Sequence, residues 1–390
     1  MPDFTSDQRQ ELQRLILEFK DLRLPQETLD QVAPRVPNIG QAELQDGLCR
    51  GLYEAGGPAL LLDVRSPKEF ALDGLPDAVN LPVLDNDERH AVGLLYKQQS
   101  QELAVQVALY FWEKKKERFL AEAAKLAAGR PVALYCWRGG GRSRFSTHQL
   151  RLAGLEVRQL VGGQKDWRRR VHAALYQQAW SFLCLDGLTG CGKTAILEEL
   201  RRTHSSVPQI DFEAAAAHAS SVFGRVRFPG RHEPKQARFE EALFLQLMRF
   251  RRGDGSFPVY LCESESRKIG SLQIPPALWQ ARVSAPQILV NGSLEVRVAR
   301  IRREYFHNGD PIQVAAVRDK VALLTRHVGA DKVALWVSLI DAGRYDEFSA
   351  DILVNWYDRC YAHTPGTVIL EVDSVDVPKA AAQIAALIST

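Results

Sequence analysis

One cysteine stands at the start of a glycine-rich loop that also carries arginines. The stretch YCWRGGGRS holds Cys136 and Arg142 at a Cys-x5-Arg spacing, between an apolar run and a helical segment. Backbone N–H groups of such a loop, and the positive end of the helix that follows, bind anions. The same field favours the thiolate form of a thiol at the first position. The pattern predicts Cys136 as a nucleophile, with Arg142 and Arg138 holding an oxyanion.

Two kinds of chemistry use a cysteine loop of this type. In rhodanese-type transfer the cysteine carries sulfur or selenium as a persulfide-like species, and in a cysteine phosphatase it carries a phosphoryl group. A third interpretation needs no chemistry, because most free cysteines are buried structural residues. The order of strand, glycine loop and helix favours a catalytic thiol, but the loop alone does not separate the first two.

A second glycine loop, GLTGCGKT, fits G-x-x-x-x-G-K-[ST] at every fixed position. It follows the apolar run WSFLCLDG and opens a helical segment, which is the context that supports a P-loop. Its glycines allow the backbone to curl around a phosphate, its lysine neutralises charge, and its threonine is placed to hold Mg²⁺. The predicted phosphate-binding residues are Gly187, Gly190, Gly192, Lys193 and Thr194.

Further residues are candidates to serve the P-loop. Glu263 ends the run FPVYLCE, where a Walker B acid would lie, although a strand-end glutamate is common. The segment LEVRVARIRREYF, residues 294–306, reads as a helix with several arginines. These arginines either clamp phosphates or form a solvated face.

Composition sets the broad class of the protein. Of 390 residues, 46% are hydrophobic and 25% charged, with a net charge of +3, which fits a globular protein of two or three domains. Six scattered cysteines without CxxC pairs argue against a structural metal and against disulfides, and fit a reducing cytoplasm. No apolar run is long enough for a membrane span, and the polar start MPDFTSDQRQ does not resemble a signal peptide.

Apolar runs and helical segments alternate along the chain and predict two successive α/β units with mostly parallel sheets. Helices are expected at 6–20, 101–128 and 143–154, and a boundary between the units near 172–180. The predicted strands are 59–65, 130–136, 156–163, 180–187, 257–263, 285–290 and 366–372.

Several motifs together resemble the bacterial tRNA 2-selenouridine synthase family, in which a rhodanese-like domain is joined to a P-loop NTPase-like domain. They are LLDVRSPKEFALDGLPDAVNLP, NDERHAVGLLYKQQ, CWRGGGRS, LVGGQKDW, GLTGCGKT, FGR, ESRKIGS and EYF. The resemblance implies a rhodanese-like domain at 41–175 and a P-loop domain with C-terminal helices at 176–390. Residues 1–40 fall outside it and are expected to form an N-terminal helical extension. Asp63 and Arg65 then brace the cysteine loop rather than touch substrate.

The resemblance also implies an activity. Such enzymes replace sulfur by selenium in the wobble 2-thiouridine of tRNA, through S-geranylation with geranyl diphosphate and selenation with selenophosphate. Cys136 would carry the selenium, a selenophosphate synthase is a candidate supplier, and Mg²⁺ at the P-loop is compatible. Arginine clusters at 167–170, 225–231 and 249–252 would hold the tRNA. The alternatives are a cysteine-dependent sulfurtransferase or phosphatase fused to a P-loop kinase, and a non-catalytic RNA-binding scaffold.

Overall fold

The structure is a computed structural model that describes residues 6–19, 21–22, 35–307, 309–360 and 366–389. The chain divides into two compact units, Met1–Val171 and His172–Thr390, and each is described by itself. Of the expected N-terminal extension at 1–40, residues 1–5, 20 and 23–34 lie outside the described residues.

The first unit is built on a five-stranded parallel sheet with the strand order β1-β5-β4-β2-β3. The strands predicted at 59–65, 130–136 and 156–163 are present and form the centre of the sheet. Their residues are almost all buried, as expected for strands with a neighbour on each side. Two outer strands were not predicted, since two residues show no periodicity. The strands are β1 Asn38–Ile39, β2 Leu60–Asp63, β3 Val79–Asn80, β4 Val132–Tyr135 and β5 Val157–Leu160.

Helices surround this sheet. The single helix expected at 101–128 was wrong, because the chain breaks at Lys114–Lys115 and a second helix begins at Lys116. Across the break, Trp112 and Phe119 meet edge to face, with ring centroids 5.2 Å apart, in the core. The helices are α1 Ser6–Phe19, α2 Gln41–Cys49, α3 Pro67–Asp73, α4 Asn86–Gln98, α5 Gln101–Glu113, α6 Lys116–Ala127, α7 Gly141–Leu152 and α8 Gly163–Gln177.

The N-terminal helix α1 packs on the first unit through one apolar face. Leu15 and Phe19 are buried in a cluster with Leu94 and Leu95 of α4. Phe19 also meets Tyr110 of α5 edge to face, with ring centroids 5.4 Å apart. An aromatic pair of this kind adds to the free energy gained by burying its apolar area, so α1 is a packed part of the unit.

The second unit contains a four-stranded parallel sheet in the order β11-β10-β6-β7 and a two-stranded antiparallel sheet. All four strands predicted in this half of the chain are present in the parallel sheet, and the mixed α/β class is confirmed. The strands are β6 Phe182–Asp186, β7 Tyr260–Glu263, β8 Lys268–Ile269, β9 Leu272–Gln273, β10 Gln287–Asn291 and β11 Val368–Asp373.

A group of helices beside this sheet has its own core, and we call residues 294–360 the helical lobe. Phe306, Val317, Trp336 and Phe348 are fully or almost fully buried there. The helices of the second unit are α9 Lys193–Thr203, α10 Phe212–Ala216, α11 Gln236–Met248, α12 Pro276–Val283, α13 Leu294–Phe306, α14 Pro311–Val321, α15 Thr325–Val328, α16 Ala330–Asp341, α17 Tyr345–Ile352, α18 Asp358–Cys360 and α19 Val377–Ser389; a 3-10 turn spans Ala322–Leu324 and a π turn spans Leu353–Tyr357.

All six cysteines are free thiols, and four of them, Cys136, Cys184, Cys191 and Cys262, are buried. Within the described residues, the model has no helix that is both long and apolar enough to cross a bilayer.

Candidate active sites of the two units

Cys136 lies directly after strand β4, where the glycine loop begins. Its Sγ atom is 3.1 Å from the Oγ atom of Ser143 in the first turn of α7, and the residue is 3% exposed. Gly140 is the residue before α7, so the helix begins inside the loop. The predicted order of strand, loop and helix is therefore present, and the thiol lies at the positive end of α7.

The loop backbone is held with its carbonyl groups turned outward. The Cys136 carbonyl accepts a hydrogen bond from the Gln164 N–H at 3.0 Å, and the Trp137 carbonyl accepts one from the Lys165 N–H at 2.8 Å. The Gly139 carbonyl accepts a third from Gln159 Nε2 at 2.7 Å. Carbonyls turned away from the loop interior direct N–H groups toward it, which is how such loops bind anions.

The closing Gly-Gly pair of the LVGGQKDW motif fits directly against this loop. Gly163 has φ +57°, and an added Cβ would collide with the Cys136 carbonyl oxygen and lie 2.6 Å from the Gly139 nitrogen. Both atoms are backbone and cannot swing aside. A side chain at Gly163 would therefore distort the cysteine loop, which explains why glycine is needed there.

The structure brings only one of the two candidate arginines into the buried part of this site. Arg142 makes a bidentate pair with Glu69, with Nη1 and Nη2 at 2.6 and 3.0 Å from its oxygens. Burial alone would raise the pKa of Glu69, but the Arg142 hydrogen bonds and the positive charge of Arg142 and Arg89 lower it to about 2. Arg138 is exposed. Arg142 is therefore near the thiol but already holds a carboxylate.

Asp63 and Arg65 lie beneath the loop as a buried ion pair. Arg65 donates to both oxygens of Asp63 and, at 2.8 Å, to Asp73, and both residues of the pair are at most 1% exposed. Asp63 ends β2 beside Tyr135, the last residue of β4. This placement suits support of the strand that carries Cys136, and it is away from solvent.

The P-loop of the second unit has the backbone that its glycines predict. Gly190 and Gly192 have φ of +78° and +97°, conformations that glycine adopts without strain. Lys193 Nζ donates to the carbonyl oxygen of Gly187 at 2.7 Å. The Thr194 hydroxyl accepts a hydrogen bond from Arg227 Nη1 at 3.2 Å.

The arginines of α13 divide into two groups, because Arg297 and Arg300 are buried beside the P-loop and the other two are exposed. Arg297 donates to the Thr189 carbonyl at 2.8 Å and pairs with Asp358. Arg300 donates to the carbonyls of Gly190 and Ser374 at 2.7 and 3.1 Å. These two arginines brace the P-loop through its carbonyls. Of the remaining two, Arg302 forms an exposed pair with Asp346, and Arg303 is exposed.

Glu263 is one of three buried carboxylates beside the P-loop. Oxygen atoms of Glu213, Glu263 and Glu265 all lie within 4.8 Å of one another. Burial raises the pKa of Glu213 and of Glu263, and the charge of Glu265 raises both further. Oε1 of Glu263 has no hydrogen-bond partner in the described part of the chain. Three converging carboxylates and an orphaned oxygen fit a divalent cation bound through oxygen ligands.

One pocket joins the P-loop to the helical lobe, and its cavity volume is about 110 Å³. One part is polar and contains Lys193, Thr194, Arg227 and the three carboxylates. The other part is apolar and is lined by Phe223, Tyr305, Phe306, Val317, Phe348, Ile352 and Tyr357. The pocket is therefore suited to a ligand with an anionic head and a hydrocarbon tail.

Sequence reasoning missed several residues of this pocket. Glu213, Arg227 and Tyr305 are far apart in the sequence, and Arg227 was grouped with surface arginines although it pairs with Glu213 at 2.8 Å. A signal was present, since Glu265 lies in the ESRKIGS motif and Tyr305 in EYF. Those motifs supported the family resemblance without having a chemical role assigned to them.

Comparison with known proteins agrees with this architecture. A rhodanese-like domain model matches residues 47–170, and a model described as the tRNA 2-selenouridine synthase AAA domain matches residues 180–326. By class, the protein is a rhodanese-like domain joined to a P-loop domain.

Curated relatives narrow the class to one family. A tRNA 2-selenouridine synthase of Cupriavidus pinatubonensis is 32% identical over 343 residues, covering 80% of this chain and 90% of the relative. Those of Bordetella bronchiseptica and Chromohalobacter salexigens are 33% and 39% identical, covering 79% and 63% of this chain and 88% and 64% of the relatives. The chain belongs to the tRNA 2-selenouridine synthase family, as its motifs predicted.

Proposed function

We propose that this protein replaces sulfur by selenium in the wobble 2-thiouridine of tRNA, by S-geranylation and then selenation. Support comes from membership of the family and from two anion loops of different construction, one that begins with the buried thiol of Cys136 and one that carries the lysine and threonine of a P-loop. The first loop suits selenophosphate, which is a tetrahedral anion, and the second suits a diphosphate.

The observation that carries the proposal is the pocket that continues from the P-loop into the core of the helical lobe. A diphosphate at Lys193 would leave an attached chain against the partly buried Ile301, Tyr305 and Tyr357, in a pocket that the fully buried side chains of the helical lobe also line. A hydrocarbon gains free energy from such a surface, whereas a ribose and base would leave polar atoms unsatisfied there. The apolar wall therefore favours geranyl diphosphate over a nucleoside triphosphate as the ligand.

In the first step the sulfur of 2-thiouridine attacks C1 of the geranyl group. The new C–S bond forms as the C–O bond breaks, pyrophosphate departs with the bonding electrons, and the N3 proton of the base is lost to the pyrophosphate or to water. Lys193 and Arg227 are placed to stabilise this developing charge, because both line the polar part of the pocket. The tRNA sulfur is the nucleophile, so no protein thiol is required.

A divalent cation such as Mg²⁺ would be held by Thr194, Glu263 and the neighbouring carboxylates Glu213 and Glu265. When bound, it would neutralise negative charge on a diphosphate. Arg227 contacts both Thr194 and Glu213 and so lies beside the place where that charge would be.

In the second step Cys136 acts on selenophosphate. The thiolate attacks phosphorus, an S–P bond forms, and the P–Se bond breaks to release hydrogen selenide anion. That anion adds to C2 of the geranylated base, its proton moves to N3, and the C2–S bond breaks to release geranyl thiolate. Water then frees phosphate from Cys136.

This assignment changes the role expected for Cys136. Selenium is already fully reduced in selenophosphate, so a selenosulfide could form with loss of phosphate only if an oxidant were present. Mass spectrometry of the quenched protein distinguishes the two adducts. Selenium has a multi-isotope pattern and phosphorus has a single isotope, so a phosphoryl adduct on Cys136 supports the step and a selenium adduct contradicts it.

The tRNA is the proposed macromolecular partner, and a selenophosphate synthase is the proposed supplier of the donor. Arg249, Arg251 and Arg252 are exposed and are available to phosphates of the nucleic acid. Within the cluster at 225–231, Arg227 belongs instead to the P-loop pocket.

The function is tested by incubating 2-thiouridine tRNA with the protein, geranyl diphosphate and selenophosphate, and analysing the nucleosides by mass spectrometry. We expect S-geranyl-2-thiouridine with the first donor alone and 2-selenouridine with both. Hydrolysis of ATP or GTP without any modified nucleoside would favour the kinase alternative instead.

A further inference from the structure

Two arginines converge on the single carboxylate of Glu69 beside the cysteine loop. Arg142 binds it in bidentate fashion, and Arg89 Nε is 3.8 Å from Glu69 Oε2. Arg89 comes from α4, whereas Arg142 comes from α7. Besides the Ser66 N–H that caps α3, the carboxylate therefore has one arginine bound and a second one just beyond hydrogen-bond distance.

The helix α4 contains a glycine that makes room for this second arginine. Gly93 lies in the middle of α4, where glycine costs about 1 kcal/mol relative to alanine. An added Cβ at Gly93 would collide with Nη1 of Arg89. The guanidinium of Arg89 thus lies back across its own helix over Gly93, where the absence of a side chain leaves room for it.

The N-terminal end of α4 is also fixed in place. Asp85 and Glu88 form a capping box at its N-terminus, and Asn86 Oδ1 accepts a hydrogen bond from the Lys68 N–H at 2.9 Å. Glu88 pairs in addition with Lys115. Arg89 therefore projects toward Glu69 from a rigid base, and only its side chain needs to move.

An anion at the cysteine loop would compete with Glu69 for Arg142. Arg142 can bind an oxyanion fully only if it releases part of its hold on Glu69. A half-buried carboxylate left without a partner is costly. Arg89 can move the short distance to Glu69 and form an ion pair with its carboxylate. Arg142 is then free to bind the anion.

We propose that Arg89 is a positioning residue of the Cys136 site, which takes over Glu69 from Arg142 when a phosphate-type anion binds. This inference rests on the proposed function, because it assumes that the loop binds the donor anion. It assigns chemical roles to Arg89 and Gly93 of the NDERHAVGLLYKQQ motif. Glu69 is the shared partner that the two arginines exchange.

The test measures how well inorganic phosphate protects Cys136 from iodoacetamide in the full chain, with peptide mapping by mass spectrometry. Mapping is needed because Cys360 is exposed and because the P-loop also binds phosphate. Arg89→Gln should raise the half-protecting phosphate concentration about tenfold, the effect of one charge-assisted hydrogen bond. Arg151→Gln, at the far end of α7, is the matched control and should leave it unchanged.

Two further variants separate positioning from folding. In a Glu69→Gln background Arg142 has no carboxylate to release, so adding Arg89→Gln should have almost no further effect; glutamine also keeps the capping box of α3. Gly93→Ala should raise thermal stability, because alanine favours the helix, and should weaken phosphate protection less than Arg89→Gln does, because its methyl group displaces only the flexible end of Arg89.

The outcomes bear separately on the inference and on the proposed function. Equal protection in Arg89→Gln and the unmodified chain overturns the inference and leaves the function standing. The inference is also overturned, and the function left standing, if Arg89→Gln weakens phosphate protection of Cys136 equally with and without the Glu69→Gln substitution. Phosphate that fails to protect Cys136 in the unmodified chain overturns both. Tenfold weakening that Glu69→Gln abolishes supports the exchange.

Discussion

At the scale of single residues, Glu69 joins two tasks. Its carboxylate accepts the bidentate pair from Arg142 and also accepts the Ser66 N–H at 3.1 Å, which caps α3. A side chain that holds both a helix end and an active-site arginine contributes to stability and to function together.

The charge of Glu69 should give the first unit a dependence of stability on pH. The pKa of Glu69 is about 2 when folded and near the ordinary 4.5 when unfolded. A lowered folded pKa means that this stabilisation is complete above about pH 4.5 and is lost as pH falls toward 2. Thermal unfolding should therefore show Glu69→Gln about 1–3 kcal/mol less stable at pH 7, with the difference shrinking by pH 3.

Asp46→Asn is the control for that measurement. Asp46 forms an exposed pair with Arg50, and exposed pairs contribute little. An equal loss in both variants, or a Glu69→Gln loss that does not change with pH, would contradict the argument.

The three buried carboxylates of the second unit predict that Glu263→Gln changes thermal stability in opposite directions with and without a bound cation. Without a cation, Glu263→Gln removes the free-energy cost of burying an ionisable carboxyl group beside Glu265 and should raise the unfolding temperature at pH 7 by about 2–4 °C. With Mg²⁺ the unmodified chain should gain stability and the variant should gain much less.

The same cluster predicts how metal affinity depends on pH. A raised carboxyl pKa means that the folded, metal-free protein keeps protons that Mg²⁺ must displace. Affinity measured by calorimetry should therefore rise with pH through the neutral range. An Mg²⁺ response that is the same in Glu263→Gln would place the cation elsewhere.

At the scale of elements, the sequence predicted what local patterns encode. The buried runs at β4 and β6 and their glycine loops were recognisable, because strand, loop and helix are contiguous. The two-residue strands β1 and β3 were not, since pairing with a neighbouring strand defines them. The roles of Arg297 and Arg227 were also inaccessible, because their partners Thr189 and Glu213 are brought near only by the fold.

The tight contact between Gly163 and the cysteine loop predicts a selective loss of the first unit's chemistry. Gly163→Ala introduces positive-φ strain of about 1–2 kcal/mol together with a backbone collision. Gly154→Ala is a matched control, because Gly154 also has positive φ, +88°, but an added Cβ meets nothing within 4 Å.

We expect both variants to lower the unfolding temperature of the first unit, and only Gly163→Ala to abolish adduct formation at Cys136. Geranylation should survive in both. Normal adduct formation in Gly163→Ala would show that the loop tolerates the displacement.

At the scale of the whole molecule, two loops in different compact units predict a division of labour. Lys193→Ala should lower geranylation about 100-fold or more, by loss of charge stabilisation, and should still convert pre-geranylated tRNA. Cys136→Ala should accumulate geranylated tRNA. A mixture of the two variants should again form 2-selenouridine if geranylated tRNA passes from one protein molecule to the other. Chromatography of the nucleosides measures each product.

A single shared site would give a different pattern. Cys136→Ala would then stop geranylation while still binding tRNA, and neither variant would convert the intermediate made by the other.

The pocket in the helical lobe has a consequence for how such a protein can evolve. Its apolar end is made by Phe306, Val317, Phe348 and Ile352, and each of them is also a core residue at most 2% exposed. Trimming one large core side chain costs about 2–5 kcal/mol, out of the 5–15 kcal/mol typical of a whole domain. A lineage that shifts to a donor of another chain length must therefore first accumulate compensating mutations, so donor preference should drift more slowly than the solvent-facing residues at the mouth.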